Sequence, residues 1–218
     1  CRRARLVVTS TRWVKHDIVK QYDLHPTKVA FIPRGSLLAR EPLSPAERAR
    51  TWRERGIPED FAFYPAATFP HKNHVRLLQA LARLRDERGI TLRLVCCGQL
   101  LASHWPKIQA EIVRSRLQTQ VIFLGVVPDR MLASLFQNAR FMVFPSLFEG
   151  LGLPLLEAMR HGLPIVASDA TCIPEVAADG AMLFDGGSID AMVEALTEAV
   201  KNPDALEQIR SRGPAVLS

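Results

Sequence analysis

Residues 141–162 read FMVFPSLFEGLGLPLLEAMRHG, and this stretch decides the fold. Its first four residues form a short apolar run that ends at Pro145, which predicts a buried strand. The glycines within residues 149–153 allow the backbone to turn tightly and to approach a ligand. A helix is predicted to follow, with Pro154 at its first position and Gly162 at its end. A strand, a glycine loop and a helix N-terminus in this order are typical of phosphate binding, because backbone N–H groups and the positive end of the helix dipole face the ligand.

Two carboxylates lie on either side of this predicted turn. Glu149 precedes the glycines, and Glu157 follows them in the early part of the helix. Carboxylates accept hydrogen bonds from vicinal hydroxyl pairs, such as those of a ribose or a hexose, so the two can bind different parts of one ligand. The spacing alone leaves an equal alternative, in which Glu157 complements the helix dipole and Glu149 is a solvated loop residue.

The composition is that of an ordinary globular protein: the 218 residues are 48% hydrophobic and 23% charged. No apolar run reaches the roughly 18 residues that a membrane-spanning helix needs. The four cysteines show no metal-ligand spacing, and the adjacent Cys96 and Cys97 fall on a predicted strand, where neighbours face opposite ways. We therefore expect small core residues rather than a disulfide, and a reducing, cytoplasmic setting.

The net charge of +6 is unevenly distributed along the chain. Residues 1–55 contain 13 Lys and Arg against 5 Asp and Glu, a net of +8. Such a segment can face anionic lipid, nucleic acid or a phosphorylated ligand, although a solvated basic surface is the commoner case. No nucleic-acid motif accompanies it, so we expect no nucleic-acid partner. Peripheral contact with the inner face of a membrane stays open.

Strands alternate with helices from Phe61 onward, which predicts a doubly wound parallel α/β sheet with its ligand loops at the carboxyl ends of the strands. Lys72, Gly98 and Glu149 each follow a predicted strand. Because parallel strands end at the same edge of a sheet, we expect these residues at one edge.

Three regions are predicted along the chain. Residues 61–218 form the α/β domain, and residues 37–60, rich in Pro, Arg and Glu, form a connection that contains a helix over 45–55. Residues 1–36 read as strand, helix and strand. A domain rarely starts abruptly with such a unit, so we expect residues 1–36 to be the incomplete end of a preceding domain.

The string from FPSLFEG to IPEV, over residues 144–176, closely resembles the donor-binding signature of retaining glycosyltransferases with the GT-B fold, of the family 4 type. Glu149 and Glu157 match its E-x7-E pattern, and the Pro-Ser, Glu-Gly-x-Gly-Leu-Pro, Glu-Ala-Met and Pro-Glu-Val elements follow in the family's order. This set is far more specific than a lone Gly-x-Gly-x-x-Gly. The resemblance covers nearly all of residues 1–200. It implies a Rossmann-like C-terminal donor domain, preceded by a remnant of an acceptor-side domain that ends in the Pro-x-Gly turn at 33–35.

The resemblance also implies a reaction: transfer of a hexose from a nucleotide-diphosphate sugar to an acceptor hydroxyl, with retention at the anomeric carbon. Lys72, in the string His-Lys-Asn, corresponds to the family's phosphate lysine. The resemblance implies that Lys72 and Glu149 are the catalytic residues, with Glu149 holding the transferred sugar. Glu157 would hold the ribose. Further donor contacts are expected in the glycine loop and in the turn after a later strand, at Gly150, Leu151, Gly152, Leu153, Gly125 and Val126.

No metal or other cofactor is expected, because the sequence contains no Asp-x-Asp motif and no His/Cys cluster. Lys72, the loop amides and the helix dipole can stabilise a departing diphosphate in place of a cation. A glycan or lipid-linked acceptor of the cell envelope is expected. Since the acceptor-side domain is incomplete in this interpretation, we expect the chain alone to bind its donor weakly and to transfer nothing.

The sequence departs from the family pattern at one place. Many members have an arginine five or six positions before the lysine, where this chain has Ala67 and Ala66. The second positive charge is then absent, or is supplied by His71, His74 or an arginine elsewhere. Two alternatives stay open for this reason: a non-catalytic GT-B module that binds nucleotide sugars, and a sugar-nucleotide epimerase of the same fold, which the E-x7-E string disfavours.

Overall fold

The structure, a computed structural model, describes residues 1–33 and 41–216. Strand β1 (Val7–Thr9), helix α1 (Arg12–Tyr22) and strand β2 (Val29–Phe31) come first, and the two strands pair in parallel in a sheet of their own. The strand–helix–strand prediction for the start of the chain is confirmed, with shorter strands than expected. Arg34 and Gly35 of the predicted Pro-x-Gly turn lie outside the described residues.

Helix α2 (Pro45–Arg55) occupies the residues predicted for it. Ser44 and Glu47 form a reciprocal capping box at its start, and Gly56 ends it in a left-handed conformation with φ of 65°. Trp52 is only 2% exposed and joins the core of the large sheet. The described part of the connection therefore packs on that sheet.

Six strands build the large sheet, and helices connect them. In chain order these elements are β3 (Ala62–Pro65), α3 (His74–Arg88), β4 (Leu94–Cys97), α4 (Trp105–Arg114), β5 (Val121–Phe123), α5 (Asp129–Asn138), β6 (Phe141–Phe144), α6 (Leu153–Arg160), β7 (Ile165–Ser168), α7 (Ile173–Ala177), β8 (Met182–Phe184), α8 (Ile189–Lys201) and α9 (Pro203–Val216). Every neighbouring pair of strands in this sheet is parallel. The predicted parallel α/β sheet is confirmed.

The strand order is β5-β4-β3-β6-β7-β8. The chain thus begins in the middle of the sheet at β3, adds β4 and β5 on one side, and returns to add β6, β7 and β8 on the other. Strands β4, β6 and β7 are buried along their whole length, as expected for a parallel sheet covered by helices on both faces. The order of the strands reverses between β3 and β6, and open α/β sheets bind their ligands at such a point.

One helix boundary differs from the prediction. Leu153 is already helical, so Pro154 is the second residue of α6 and not the first, and Gly152 is its N-cap. Two other helices also have a proline at or near their start. Pro128 holds the extended cap conformation before α5. In α4 a proline lies in the first turn, where the N–H groups have no partner within the helix.

Gly98 allows the loop that follows β4 to cross the loop that follows β3. Its φ is +135°, and a Cβ at this position would lie 2.6 Å from both the carbonyl carbon and the carbonyl oxygen of Ala66. Its N–H donates to the carbonyl of Gly125 at 2.8 Å. Gly98 thereby connects the loops at the ends of three adjacent strands.

We predict that Gly98→Ala lowers the free energy of unfolding by more than about 3 kcal/mol, because the new methyl group meets backbone atoms that cannot move aside. Gly89→Ala is the matched control: its φ is +67°, and a Cβ there would meet nothing within 4 Å. That control should cost only about 1–2 kcal/mol, the strain of a left-handed alanine. Urea unfolding of both variants measures the difference, and equal costs would contradict the close approach.

Candidate functional site

Lys72 and Glu149 meet where the strand order reverses. Lys72 follows β3 and Glu149 follows β6, and these two strands are neighbours in the sheet. The Nζ of Lys72 and the Oε1 of Glu149 form a direct ion pair, whose side chains are 17% and 11% exposed. The ammonium group also lies 5.8 Å from the ring centroid of Phe144. The structure therefore brings together the two residues predicted to be catalytic.

A cavity of about 580 Å³ opens beside this ion pair. One wall consists of Lys72 and the continuous segment 149–154, which includes Gly150, Leu151, Gly152 and Leu153. The opposite wall comes from β1 and α1, and its lining residues are Val8, Thr9, Ser10, Val14 and Ile18. The predicted glycine loop and the predicted lysine thus share one cavity, which lies between the small sheet and the large one.

The N-terminus of α6 faces this cavity through Leu153 and Pro154. Gly152 caps the helix at a φ of +70°, a left-handed conformation that favours glycine. No side chain of the described residues caps the helix, and its first turn contains no acidic residue. The positive end of the helix dipole is therefore left for an anion.

The loop between β7 and α7 fixes the backbone of Glu149. The hydroxyl of Thr171 accepts from the amide of Glu149 at 3.0 Å and lies 3.2 Å from its carbonyl oxygen. The thiol of Cys172 donates to the same carbonyl at 3.2 Å. Burial, followed by the charge of Glu149, raises the pKa of Cys172 to about 11, so the thiol keeps its proton. Sequence reasoning missed both residues, because a threonine and a cysteine in a loop carry no motif.

Two further residues that the sequence did not single out hold Lys72 in place. The hydroxyl of Tyr64 donates to the carbonyl of Lys72 at 2.7 Å. The side-chain amide of Asn73 donates to the carbonyls of Pro145 at 3.1 Å and Gly186 at 2.9 Å. The loops after β3, β6 and β8 are tied together in this way. Only the string His-Lys-Asn could have hinted at Asn73.

The other predicted donor contacts lie outside the Lys72 cavity. Glu157 is half-buried on α6, and its charge, after burial, contributes to raising the pKa of Cys97 to about 12. This places Glu157 near the end of β4. Gly125 and Val126 follow β5 at the edge of the sheet, where Val126 is 78% exposed. Gly125 and Val126 therefore lie at the carboxyl end of β5, on the far side of β3 and β4 from the strand that leads to Glu149.

The structure disfavours His74 among the alternatives for a second positive charge. His74 is 1% exposed, and neither ring nitrogen has a hydrogen-bond partner among the described residues. Its ring lies against those of Tyr64 and Phe123, at centroid distances of 4.7 and 5.9 Å. Burial, with nearby positive charge, lowers its pKa to about 3, so the imidazole is neutral at neutral pH. His71 has a lowered pKa for the same reasons, opposed by Glu149. Among the residues that the structure describes, Lys72 is the one cation that lines the cavity.

A second cavity, of about 610 Å³, lies between α3 and α4 and contains none of the predicted site residues. Arg76, His104, Lys107 and Arg114 line it around Glu111. Glu111 is buried, forms an ion pair with Arg114 and accepts a hydrogen bond from Ser115. The groove is therefore a basic surface whose acidic residue is already paired.

Over residues 1–33 and 41–216, no group of three or more His, Cys, Asp or Glu side chains is placed to hold a metal ion. A search of the same residues finds no helix that is both long enough and apolar enough to span a bilayer.

Comparison with known proteins connects this geometry to a family. The family model for glycosyl transferases group 1 matches residues 50–216. O-antigen chain mannosyltransferase B of Escherichia coli is 28% identical over 215 residues, which cover 97% of this chain and 56% of that protein. An MMP alpha-(1->4)-mannosyltransferase of Mycolicibacterium hassiacum is 32% identical over 202 residues, or 90% and 46% of the two proteins. The chain thus spans about half the length of these relatives.

Two solved structures share the fold of this chain. HepE of Anabaena, solved in complex with UDP and glucose, superposes with a TM-score of 0.85 over 100% of this chain and 59% of its own, at 21% identity. A glycosyltransferase from Rickettsia africae superposes with a TM-score of 0.82 at 15% identity, over 98% of this chain and 58% of its own.

Burial of His74 makes the stability of the chain depend on pH. The unfolded chain binds a proton at this residue below about pH 6.5, whereas the native state does not until about pH 3, so the free energy of unfolding falls as the pH is lowered through this window. We predict that His74 alone costs about 2 kcal/mol between pH 7 and pH 5. Urea unfolding at both pH values should show a loss smaller by this amount in His74→Phe. Equal losses in the two proteins would contradict a buried, neutral His74.

Proposed function

Because the chain belongs to the family of glycosyl transferases group 1, we propose that it carries the donor site of a retaining glycosyltransferase of the family 4 type. The reaction is transfer of a hexose from a nucleotide-diphosphate sugar to an acceptor hydroxyl. One observation carries the proposal: Lys72, Glu149 and the N-terminus of α6 meet at one cavity, at the point where the strand order reverses.

The diphosphate is the part of the donor that this cavity suits best. Lys72 presents a point charge. The backbone at Gly152 and Leu153 lines the same cavity and lies at the positive end of the α6 dipole. Both are aimed at negative charge that grows on the leaving diphosphate in the transition state, which is the most effective form of electrostatic catalysis. With these groups in place, we propose that the reaction needs no metal or other cofactor.

The diphosphate of the donor can replace Glu149 as the partner of Lys72 in the ion pair. While no donor is bound, the carboxylate of Glu149 neutralises the ammonium group in a partly buried place. An arriving diphosphate competes for Lys72, which leaves Glu149 to accept hydrogen bonds from the hydroxyls of the hexose. Thr171 and Cys172 keep the Glu149 backbone fixed during this change.

The nucleoside is proposed to lie along the β4–β5 side of the same edge. Glu157 would accept hydrogen bonds from the ribose hydroxyls, and Gly125 and Val126 would contact the base. The effect of the Glu157 charge on Cys97, at the end of β4, supports this division because one donor would then span from β6 toward β5.

The remaining assignments are proposals about the whole protein. Residues 1–36 end an acceptor-side domain, residues 37–60 connect it, and residues 61–218 bind the donor. The mannosyltransferases among the relatives favour a mannose donor and an envelope glycan or lipid-linked acceptor. The basic segment 1–55 favours peripheral binding of the protein to the cytoplasmic face of a membrane. The isolated chain is then a donor-binding protein without transfer activity.

A non-catalytic module that binds nucleotide sugars is the second candidate. Its support is that, in the described chain, Lys72 is the only cationic side chain at the cavity, so stabilisation of the leaving group is weaker than with a pair of charges. The two candidates share the binding site and differ only in whether the complete protein transfers the sugar.

We predict that the chain binds one of UDP, GDP or ADP in calorimetric titration, and that Lys72→Ala and Glu157→Ala each weaken this binding by about tenfold or more. Lys107→Ala is the matched control, because this lysine lines the other cavity and should leave the affinity unchanged. Equal effects of Lys72→Ala and Lys107→Ala would show that the phosphates bind elsewhere.

Transfer distinguishes the two candidates. In the complete enzyme, Glu149→Gln should lower kcat by about a hundredfold, because the amide cannot offer the same acceptors to the sugar hydroxyls. Glu194→Gln, an exposed position on α8, should leave kcat unchanged. A complete protein that binds the donor but transfers nothing, with or without Glu149, would favour the non-catalytic module.

A further inference from the structure

Glu175 connects the large sheet and its helices to the small unit formed by β1, α1 and β2. It lies on α7, within the Pro-Glu-Val element of the sequence, to which no role has been assigned. Its two carboxylate oxygens accept hydrogen bonds from the first two amides of α1: Oε1 from the N–H of Arg12 at 2.7 Å and Oε2 from the N–H of Trp13 at 2.8 Å. These partners are more than 160 residues apart in the chain.

The N-terminus of α1 needs this carboxylate. Its own N-cap residue, Thr11, accepts from the amide of Val14, and its first turn contains no acidic side chain. No residue of α1 is fully buried, so apolar packing holds the helix only weakly. A carboxylate at a helix N-terminus gains both hydrogen bonds and a favourable interaction with the dipole. Glu175, on α7, therefore provides the carboxylate that the first turn of α1 lacks.

Two more contacts join α1 to residues 148–153, which we call the donor loop. The hydroxyl of Thr11 donates to the carbonyl of Gly150 at 3.1 Å. The indole of Trp13 packs edge-on against the ring of Phe148, with centroids 5.7 Å apart and planes at 81°. Phe148 is 52% exposed and directly precedes Glu149. The three contacts lie on the first turn of α1, on the side of the cavity opposite Lys72.

We propose that Glu175 is a positioning residue that clamps α1 against the donor loop. With α1 in place, Thr11 fixes the peptide group between Gly150 and Leu151. Since the C=O and N–H of a trans peptide point in opposite directions, this orients the N–H of Leu151 away from Thr11. The clamp thus sets the shape of the loop that carries the proposed phosphate-binding amides.

The clamp can be tested in this chain without a ligand, by site-resolved NMR. In Glu175→Ala, hydrogen exchange at the amides of Arg12 and Trp13 should accelerate by about tenfold, and the nuclear Overhauser contact between the Trp13 indole and the Phe148 ring should be lost. Glu175→Gln keeps one acceptor oxygen and should have a smaller effect. Glu194→Ala is the matched control on α8, and exchange in the buried strand β6 reports whether the fold is intact.

Either of two results overturns the proposal. Exchange at Arg12 and Trp13 that is the same in Glu175→Ala and Glu194→Ala would show that the carboxylate does not hold α1. Faster exchange with an unchanged contact between Trp13 and Phe148 would show that Glu175 caps the helix without positioning it.

The effect on the donor loop rests on the proposed function. Its probe is whichever of UDP, GDP and ADP the unmodified chain binds. Titration should show that Glu175→Ala weakens binding of this nucleotide several-fold relative to Glu194→Ala, at a temperature where both variants are fully folded. Unchanged affinity in Glu175→Ala would refute positioning of the loop. If the unmodified chain binds none of UDP, GDP and ADP, then the proposed donor site has failed in this chain, while exchange and the aromatic contact still decide whether the clamp exists.

Discussion

The carboxyl ends of β3 and β6 lie side by side in the sheet, and the rest of the site depends on this adjacency. Seventy-six positions after β3 ends, the chain returns next to it, because β4 and β5 were added on the other side. Only then can Lys72 and Glu149 form an ion pair, and only then can Asn73 reach the carbonyl of Pro145. Gly98 permits the loops after β3 and β4 to cross closely, which keeps the rest of the edge compact.

A partly buried ion pair suits a site at which a ligand replaces one of the two partners. Removing charges such as those of Lys72 and Glu149 from water costs free energy that offsets much of their mutual attraction, so a ligand that offers a better partner to either side chain can separate them. The neutral imidazole of His74 beneath the loop adds no charge of its own. The helix dipole of α6 and one ammonium group therefore provide the positive potential at this cavity, within the described chain.

Local structure was predictable from the sequence, whereas the network that holds the site was not. The stretch 141–162 contains a strand run, required glycines and helix signals that act within a few residues, so its prediction is confirmed to within one position at Pro154. The strand order depends on contacts between distant segments and has no local signal. Tyr64, Thr171 and Cys172 were missed for the same reason. The sequence left His74 open as a source of positive charge, because its burial, which keeps the imidazole neutral, has no local signal.

The central claim is that a nucleotide-diphosphate sugar binds at the reversal of strand order, and amide chemical-shift mapping tests it most directly. On addition of the nucleotide that binds, we expect the largest shifts at Leu151, Gly152 and Leu153, with further shifts next to Lys72. Shifts confined to the basic groove between α3 and α4, around Arg76 and Lys107, would contradict the claim, because the donor would then bind at the other cavity.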